Sequence, residues 1–325
     1  MKKVMFLVAL FLMVLPLGAN AQTLKGDVDG NGKVTISDVT VLIDYLLTQD
    51  ASTIDLLNAD LDDDGTVGIA DVVELIDVIL RMQPEPQNIE TITLGDVSFN
   101  MVLVEGGTFL MGATEEQEIN QLWFPHCYPV HEVTLSSFSI GETEVTQALW
   151  VAVMGSNPSY FNDDLTRPVE QVTWNDCQTF INKLNQLTGK TFRLPTEAEW
   201  EFAARGGNES VGYRYSGSND IDAVAWTADN SESTTHPVRL KAPNELGLYD
   251  MTGNIQEFCQ DWYGFDYYSV SPTINPTGPT SGDRRIKRGG GFWDSVGDGQ
   301  IFAVANRSMS YDTYSFRHTG LRLAL

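Results

Sequence analysis

An acidic loop centred on glycine occurs twice in this 325-residue chain. The first copy reads Asp27-x-Asp29-x-Asn31-Gly32-x-Val34-x-x-x-Asp38. The second, beginning at Asp60 and so offset by 33 residues, reads Asp60-x-Asp62-x-Asp64-Gly65-x-Val67-x-x-x-Asp71. Oxygen side chains fall at loop positions one, three, five and twelve, and glycine falls at six, where the chain must turn sharply. Lys33 and Thr66 occupy position seven, which coordinates through its backbone carbonyl. Hard cations take such rings of carboxylate and carbonyl oxygens, so each loop is expected to hold one calcium ion. One copy alone would also serve as an acidic turn. The repeat argues against that, because the segment after each loop repeats too: Val39, Leu42, Ile43, Leu46 and Leu47 match Val72, Leu75, Ile76, Ile79 and Leu80. That spacing is the apolar stripe of an amphipathic helix. The apolar residue at position eight of each loop is expected to let the pair touch through a short backbone bridge.

Composition narrows the partners. Forty-four acidic against 20 basic residues leave a formal charge of −24, which argues against nucleic acid, whose phosphates need Lys and Arg. It equally disfavours anionic membranes. Lys2 and Lys3, an apolar run over residues 4–17 and the small-x-small Ala19-Asn20-Ala21 read as a secretory signal peptide, residues 1–21. The run is short for a membrane anchor, and the mature chain is expected outside the cytoplasm. The three cysteines, Cys127, Cys177 and Cys259, are no disulfide framework.

The duplicated loop with its matched helices resembles a type I dockerin, the calcium-dependent module by which secreted enzymes dock onto cohesins of a scaffold. The likeness covers about residues 24–82, and the resemblance implies a cohesin-bearing partner. Loop positions ten and eleven, which often carry partner contacts in that family, are Ile36-Ser37 and Ile69-Ala70. The basic pair common in the following helix is Ile43-Asp44 and Ile76-Asp77, so the docking surface is expected to be more apolar. A small all-α module over residues 22–83 would then be joined by a proline-bearing linker, residues 84–91, to a second domain over residues 92–325.

In that second domain residues 101–112 read as two short strands about a glycine turn, and residues 133–140 as another strand. A helix is expected over residues 143–154, ended by Gly155. Thr173 caps a second, with Cys177, Phe180, Ile181, Leu184 and Leu187 on one face, closed by Gly189. Thr196 and Glu199 form a capping box for a third. Beyond Gly206 the chain turns rich in Gly, Asn and Ser, and the class is α+β with many loops. Within residues 246–263, Asp250 and Glu257 flank Gly253 at a spacing that suits a hard cation. Taken alone, the loop reads as a polar turn between core segments.

Blocks spread over this domain carry a second resemblance: Glu105-Gly106-Gly107-Thr108-Phe109-x-Met111-Gly112, Glu144-Val145-Thr146, Pro168-Val169-x-x-Val172-x-Trp174, residues 193–201, Arg288-Gly289-Gly290 and Gly320-Leu321-Arg322. In that order they resemble the formylglycine-generating enzymes, or sulfatase-modifying factors. The resemblance implies a C-type-lectin-like fold with much irregular structure, and a calcium ion held by Asp250, Gly253, Ile255 and Glu257. At a second calcium position of the family Val224 replaces the side-chain ligand, so no ion is expected there. The family's copper(I) chemistry uses two cysteines five residues apart, and thiolates suit that soft ion where carboxylates do not. Here Asp294 and Gly299 stand in those places, Gly291 replaces a serine, and no cysteine follows Cys259. Copper is not expected. The iron-dependent sulfur insertion of other members needs a histidine cluster that this chain lacks. Phe292, Trp293, Asp294 and Arg307 are candidates for lining a ligand cleft. The expectation is therefore a non-catalytic binding or structural module attached to a cohesin scaffold, with a protein or glycan as its ligand. The alternative is a divergent oxidase acting on a sulfatase cysteine, or another activity in the same cleft.

Overall fold

The computed structural model describes residues 24–31, 34, 36–62, 64–82, 88–297 and 299–325. Residues 1–21, expected as a signal peptide, Lys33 and residues 84–87 of the expected linker lie outside the described residues. The chain divides into two units, 1–87 and 88–325.

In the first unit each acidic loop runs into a helix, α1 (Ile36–Thr48) or α3 (Ile69–Met82), with a short α2 (Leu56–Ala59) between them. The apolar stripes meet as a core of Val28, Val39, Leu42, Ala59, Leu61, Val72 and Leu75. The two halves are tied by backbone bonds from Gly26 N to Asn58 O (2.9 Å) and from Asp55 N to Val28 O (2.9 Å). The expected bridge between position-eight residues is not among the hydrogen bonds of the described residues. Val34 and Val67 instead pack their side chains against the core, so the segments before and after the loops carry the pairing.

The second unit opens with a strand three residues earlier than the linker composition suggests. β1 (Ile89–Leu94) pairs antiparallel with β2 (Val97–Val104), Ile89 opposite Val102, and the ladder holds the start of the domain in place. β3 (Gly107–Met111) pairs with β4 (His131–Leu135), and β5 (Phe138–Gly141) returns to β2. The stretch expected as one strand over 133–140 is thus two. The chain changes sheets at Ser136-Ser137, where Ser137 Oγ accepts from Gly106 N (2.9 Å) and Ser136 N donates to Asn275 Oδ1 (2.8 Å).

Three capped helices follow. Thr146 caps α4 (Gln147–Met154), which ends on Gly155 in the left-handed region. Thr173 and Asp176 close a capping box on α5 (Trp174–Thr188), and Thr196 and Glu199 close another on α6 (Glu197–Ala204). Each side-chain oxygen satisfies a backbone N–H that the first turn leaves open. α5 buries Trp174, Cys177, Phe180, Ile181 and Leu184. Leu187, expected on the same face, is exposed because it lies on the last turn, beyond the partner surface. Cys177 is a core residue, and all three cysteines are buried and unpaired.

After α6 only a single 3-10 turn (Gly207–Glu209) and a short helix, α7 (Ile221–Val224), precede β6 (Gln256–Trp262). The last sheet has the order β8-β7-β6-β9, from β7 (Arg285–Arg288), β8 (Ser308–Ser310) and β9 (Thr319–Leu321). β9 runs parallel to β6 while the other pairs are antiparallel. The loop 250–255 leads directly into β6, so its geometry is fixed by the centre of this sheet.

Candidate metal centres and ligand cleft

Carboxylate oxygens of Asp27, Asp29 and Asp38 lie within 4.8 Å of one another, as do those of Asp60, Asp62 and Asp71. The position-twelve acids, in the first turns of α1 and α3, are buried and organise the loops. Asp38 Oδ1 accepts from Val28 N (2.8 Å) and Asp29 N (3.1 Å). Asp71 Oδ1 accepts from Leu61 N (2.6 Å) and Asp62 N (3.3 Å). Asn31 and Asp64 turn back on the loops, Asn31 N and Asp64 N donating to Asp29 and Asp62, and Thr66 donates to Asp64. Buried Asp60 Oδ1 has no hydrogen-bond partner. Three converging carboxylates with such an oxygen left over are the donor set of a hard cation, so calcium fits both loops.

The loop expected to hold a third ion lies in the core of the large unit. Asp250 and Asn254 take left-handed backbone angles, φ 57° and 55°. A Cβ on Gly253 would come within 2.6 Å of Trp226 O and 2.7 Å of its N, so only glycine fits. Asp250 Oδ2 accepts from Arg239 N (2.9 Å), while its buried Oδ1 has no hydrogen-bond partner. Glu257 is differently placed from a free side-chain ligand. Its Oε1 accepts from Arg322 Nη2 (2.7 Å) and its Oε2 from Trp200 Nε1 (2.6 Å).

A third carboxylate, Glu144, joins the cluster, accepting from Ile255 N (3.1 Å) and Asn254 Nδ2 (2.9 Å). Burial, and then the neighbouring Asp250 and Glu257, push its carboxyl well above the ordinary range, and burial takes Asp250 up to about 6. Three buried acids against one guanidinium are short of positive charge, and one oxygen is unsatisfied. That arrangement fits calcium, with Asp250 and the carbonyls of Gly253 and Ile255 as donors and Glu257 shared with Arg322. Glu144 stands in the sequence only as part of a family block. Nothing in its spacing shows that it lies across from a loop more than a hundred residues away.

The cleft candidates separate. Phe292 is fully buried, edge-on to Phe161 at 5.4 Å, whereas Trp293 is exposed. Asp294 Oδ2 accepts from Gly291 N (3.0 Å) and from Gln256 Nε2 (3.4 Å). Lys287 Nζ donates to Gln256 Oε1 (2.5 Å), and burial lowers that amine to about 8. Burial, aided by Lys287 and Arg317, takes nearby His318 down to about 4. A Cβ on Gly299 would meet Tyr215 Oη at 2.1 Å, so no cysteine side chain fits there without rearrangement.

Arg307 is not part of this group. It is buried and grips Glu197 through Nε (2.6 Å) and Nη2 (2.8 Å), with Nη1 on His126 O (2.8 Å). It belongs to a core network in which Arg288 also pairs with Glu201. A buried guanidinium needs such a carboxylate, and α6 supplies both.

Residues 94–325 match the model of the sulfatase-modifying factor enzyme 1-like domain. The chain belongs to the sulfatase-modifying factor family. Residues 25–80 match the dockerin type I domain, so the family domain here follows a dockerin. Curated relatives differ in what they are called. A protein named chaperone protein LppX, from Paenibacillus barcinonensis, is 35% identical over 63% of this chain and 82% of its own length. The formylglycine-generating enzyme of Streptomyces coelicolor is 35% identical over 54% of this chain and 60% of its own length. The serine/threonine-protein kinase pkn1 of Chlamydia pneumoniae is 35% identical over 72% of this chain but only 39% of its own. Among solved structures, the Treponema denticola variable protein 1 superposes with a TM-score of 0.64 at 34% identity, covering 73% of this chain and 98% of that one. The α+β fold of the sulfatase-modifying factor family is therefore present, and its members carry several names.

Proposed function

We propose that this is an exported, calcium-dependent docking protein whose large domain binds a ligand without performing the copper oxidation of its enzymatic relatives. The observation that carries this reading is the state of the two cysteine positions. One is Asp294, a hard oxygen donor tied to Gly291 and Gln256. The other is Gly299, whose side-chain space Tyr215 already fills. Soft thiolate ligation has no donor there. The cysteines of the chain are buried elsewhere, with Cys127 pushed up to about 11 and Cys177 and Cys259 well above the ordinary thiol by burial.

The docking half rests on the paired acidic loops and the dockerin match. Two calcium ions would hold residues 24–82 in the form that a cohesin on a scaffold recognises, and a third would brace the loop at Asp250. Among the described residues no helix is long and apolar enough to cross a membrane. Export rests on residues 1–21. A cohesin panel immobilised with calcium should capture the full chain and release it on chelation.

One observation favours a second reading. Lys287 and His318 are both shifted beside Asp294, and shifted groups gather where proton transfer occurs. The deciding assay offers a sulfatase peptide containing the target cysteine together with copper(I) and oxygen. The expected result is no formylglycine above the protein-free control. Robust turnover that survives Asp294→Ala would sink the binding-module reading in favour of an oxidase.

A further inference from the structure

We infer that the exposed surface around Trp293 and Arg317 binds an acidic glycan, with Arg317 gripping a carboxylate or sulfate on a sugar and the neighbouring rings stacking on pyranose faces. The inference rests on reading the large domain as a binding module. Its first support is Arg317 itself. In a chain with 44 acidic and 20 basic residues an arginine without a partner is unusual. The other arginines of the large unit each make an ion pair or a hydrogen bond: Arg193 with Glu199, Arg288 with Glu201 and Arg322 with Glu257 are three, and Arg285 donates to Gln260 O. Arg317 makes neither among the described residues. Glu170 lies near enough for the two charges to interact, without an ion pair between them.

Arg317 is nevertheless held in place. Its guanidinium carbon lies 4.3 Å from the Trp293 ring centre and 5.6 Å from that of Tyr160. Stacking of this kind uses the faces of the guanidinium and leaves its in-plane N–H edges open. Those edges form the planar fork that carboxylates and sulfates accept, so the receptor is ordered before the ligand arrives.

The second support is the row of rings. Tyr311 and Tyr314 are 5.0 Å apart, Tyr314 and Phe316 6.4 Å, and Phe316 stacks on His318 at 5.3 Å. Tyr160, Trp293 and Tyr314 are more than half exposed, at 60%, 52% and 54%. Arg317 follows Phe316 in sequence and itself contacts Trp293. Exposed rings gathered in this way mark a binding surface. Rings without aliphatic neighbours in the row suit the C–H faces of sugars, with Tyr hydroxyls at hand for sugar hydroxyls.

The test uses the full protein in calcium, titrated calorimetrically with oligogalacturonate, with a heparin-derived oligosaccharide and with their methyl-esterified and desulfated forms. At least one acidic probe should bind, its neutral form should bind worse, and affinity should fall with added salt. Losing a charge-assisted fork should cost Arg317→Gln about tenfold or more in Kd, with Arg317→Lys intermediate. Trp293→Ala should weaken binding as well, and an unchanged melting temperature in each variant confirms that the fold is intact. Equal binding of acidic and neutral forms, or of wild type and Arg317→Gln, overturns the acidic-glycan inference while leaving a binding module in place. Binding of an acidic peptide in preference to every glycan overturns it in the same way. No binding by any probe overturns it too, and only if the sulfatase-peptide assay then shows turnover does the module reading fall with it.

Discussion

The two acidic regions of the molecule gather carboxylates under opposite conditions. In the small unit the acids converge on two loops over a thin core, and Lys25, Lys33 and Arg81 are the only basic residues between positions 24 and 82. In the large unit Glu144, Asp250 and Glu257 are buried among well-packed elements, and Arg322 already answers Glu257. On the proposed reading the same chemistry is the condition for folding in one place and a brace in the other. Small units below about 70–80 residues need such staples, whereas a large domain draws on its core.

The largest effect expected from this contrast is chelation. Removing calcium should unfold residues 24–82 and leave the large domain standing, because the converging carboxylates of each small loop then repel one another. Hydrogen exchange of the full chain in EDTA reads both units at once. Concurrent loss of protection in the sheet β8-β7-β6-β9 would break the comparison. Retention of protection in α1 and α3 would break it from the other side. Calorimetric titration back with calcium should show two ions taken up with refolding of the small unit, and a third without a change in secondary structure.

The second effect probes the brace. Arg322 donates to Glu257, Gly141 O and Tyr249 O from a fully buried position. Arg322→Met leaves Glu257 charged and unpaired, which costs about 3–5 kcal/mol. Denaturant unfolding should register that loss in the large unit alone. Calcium should recover part of it, since the ion can then answer Glu257. If calcium recovers nothing, the loop at Asp250 is a structural turn without an ion.

How far the sequence reveals these regions depends on where their partners sit. The small loops are legible because their ligands, their glycine and their following helix lie within about one repeat. The capping boxes at Thr173 and Thr196 are legible for the same reason, three residues apart. The bond between Glu257 and Arg322 spans 65 residues, and that from Glu144 to Asn254 spans 110. No spacing announces either. Arg307 resembles a cleft residue by its position near Trp293 in the chain, and only tertiary packing sends it to Glu197. The break at Ser136-Ser137 is hidden because both halves of the apolar run are strands, and only their partners differ.

The smallest effect separates the two units by pH. Asp261 is buried in β6 with its Oδ2 accepting from Glu197 N (3.0 Å), and burial, reinforced by the Glu197 charge, raises its carboxyl to about 8. A folded-state value above the unfolded one means that the native protein holds the proton more tightly. That stability is present in full below about 4, the ordinary carboxyl range, and is lost as pH rises through about 8. Asp261→Asn removes the titration while keeping an acceptor for Glu197 N. Measured with calcium saturating, the wild type should therefore lose stability relative to Asp261→Asn between pH 5 and pH 8 (about the interval over which the linkage acts). The loss should appear in the large unit only, where Asp261 lies. A wild-type and variant difference that is flat with pH would show that Asp261 is already ionised in the fold, and that the core network around Arg307 carries one more negative charge than the burial of this carboxyl allows.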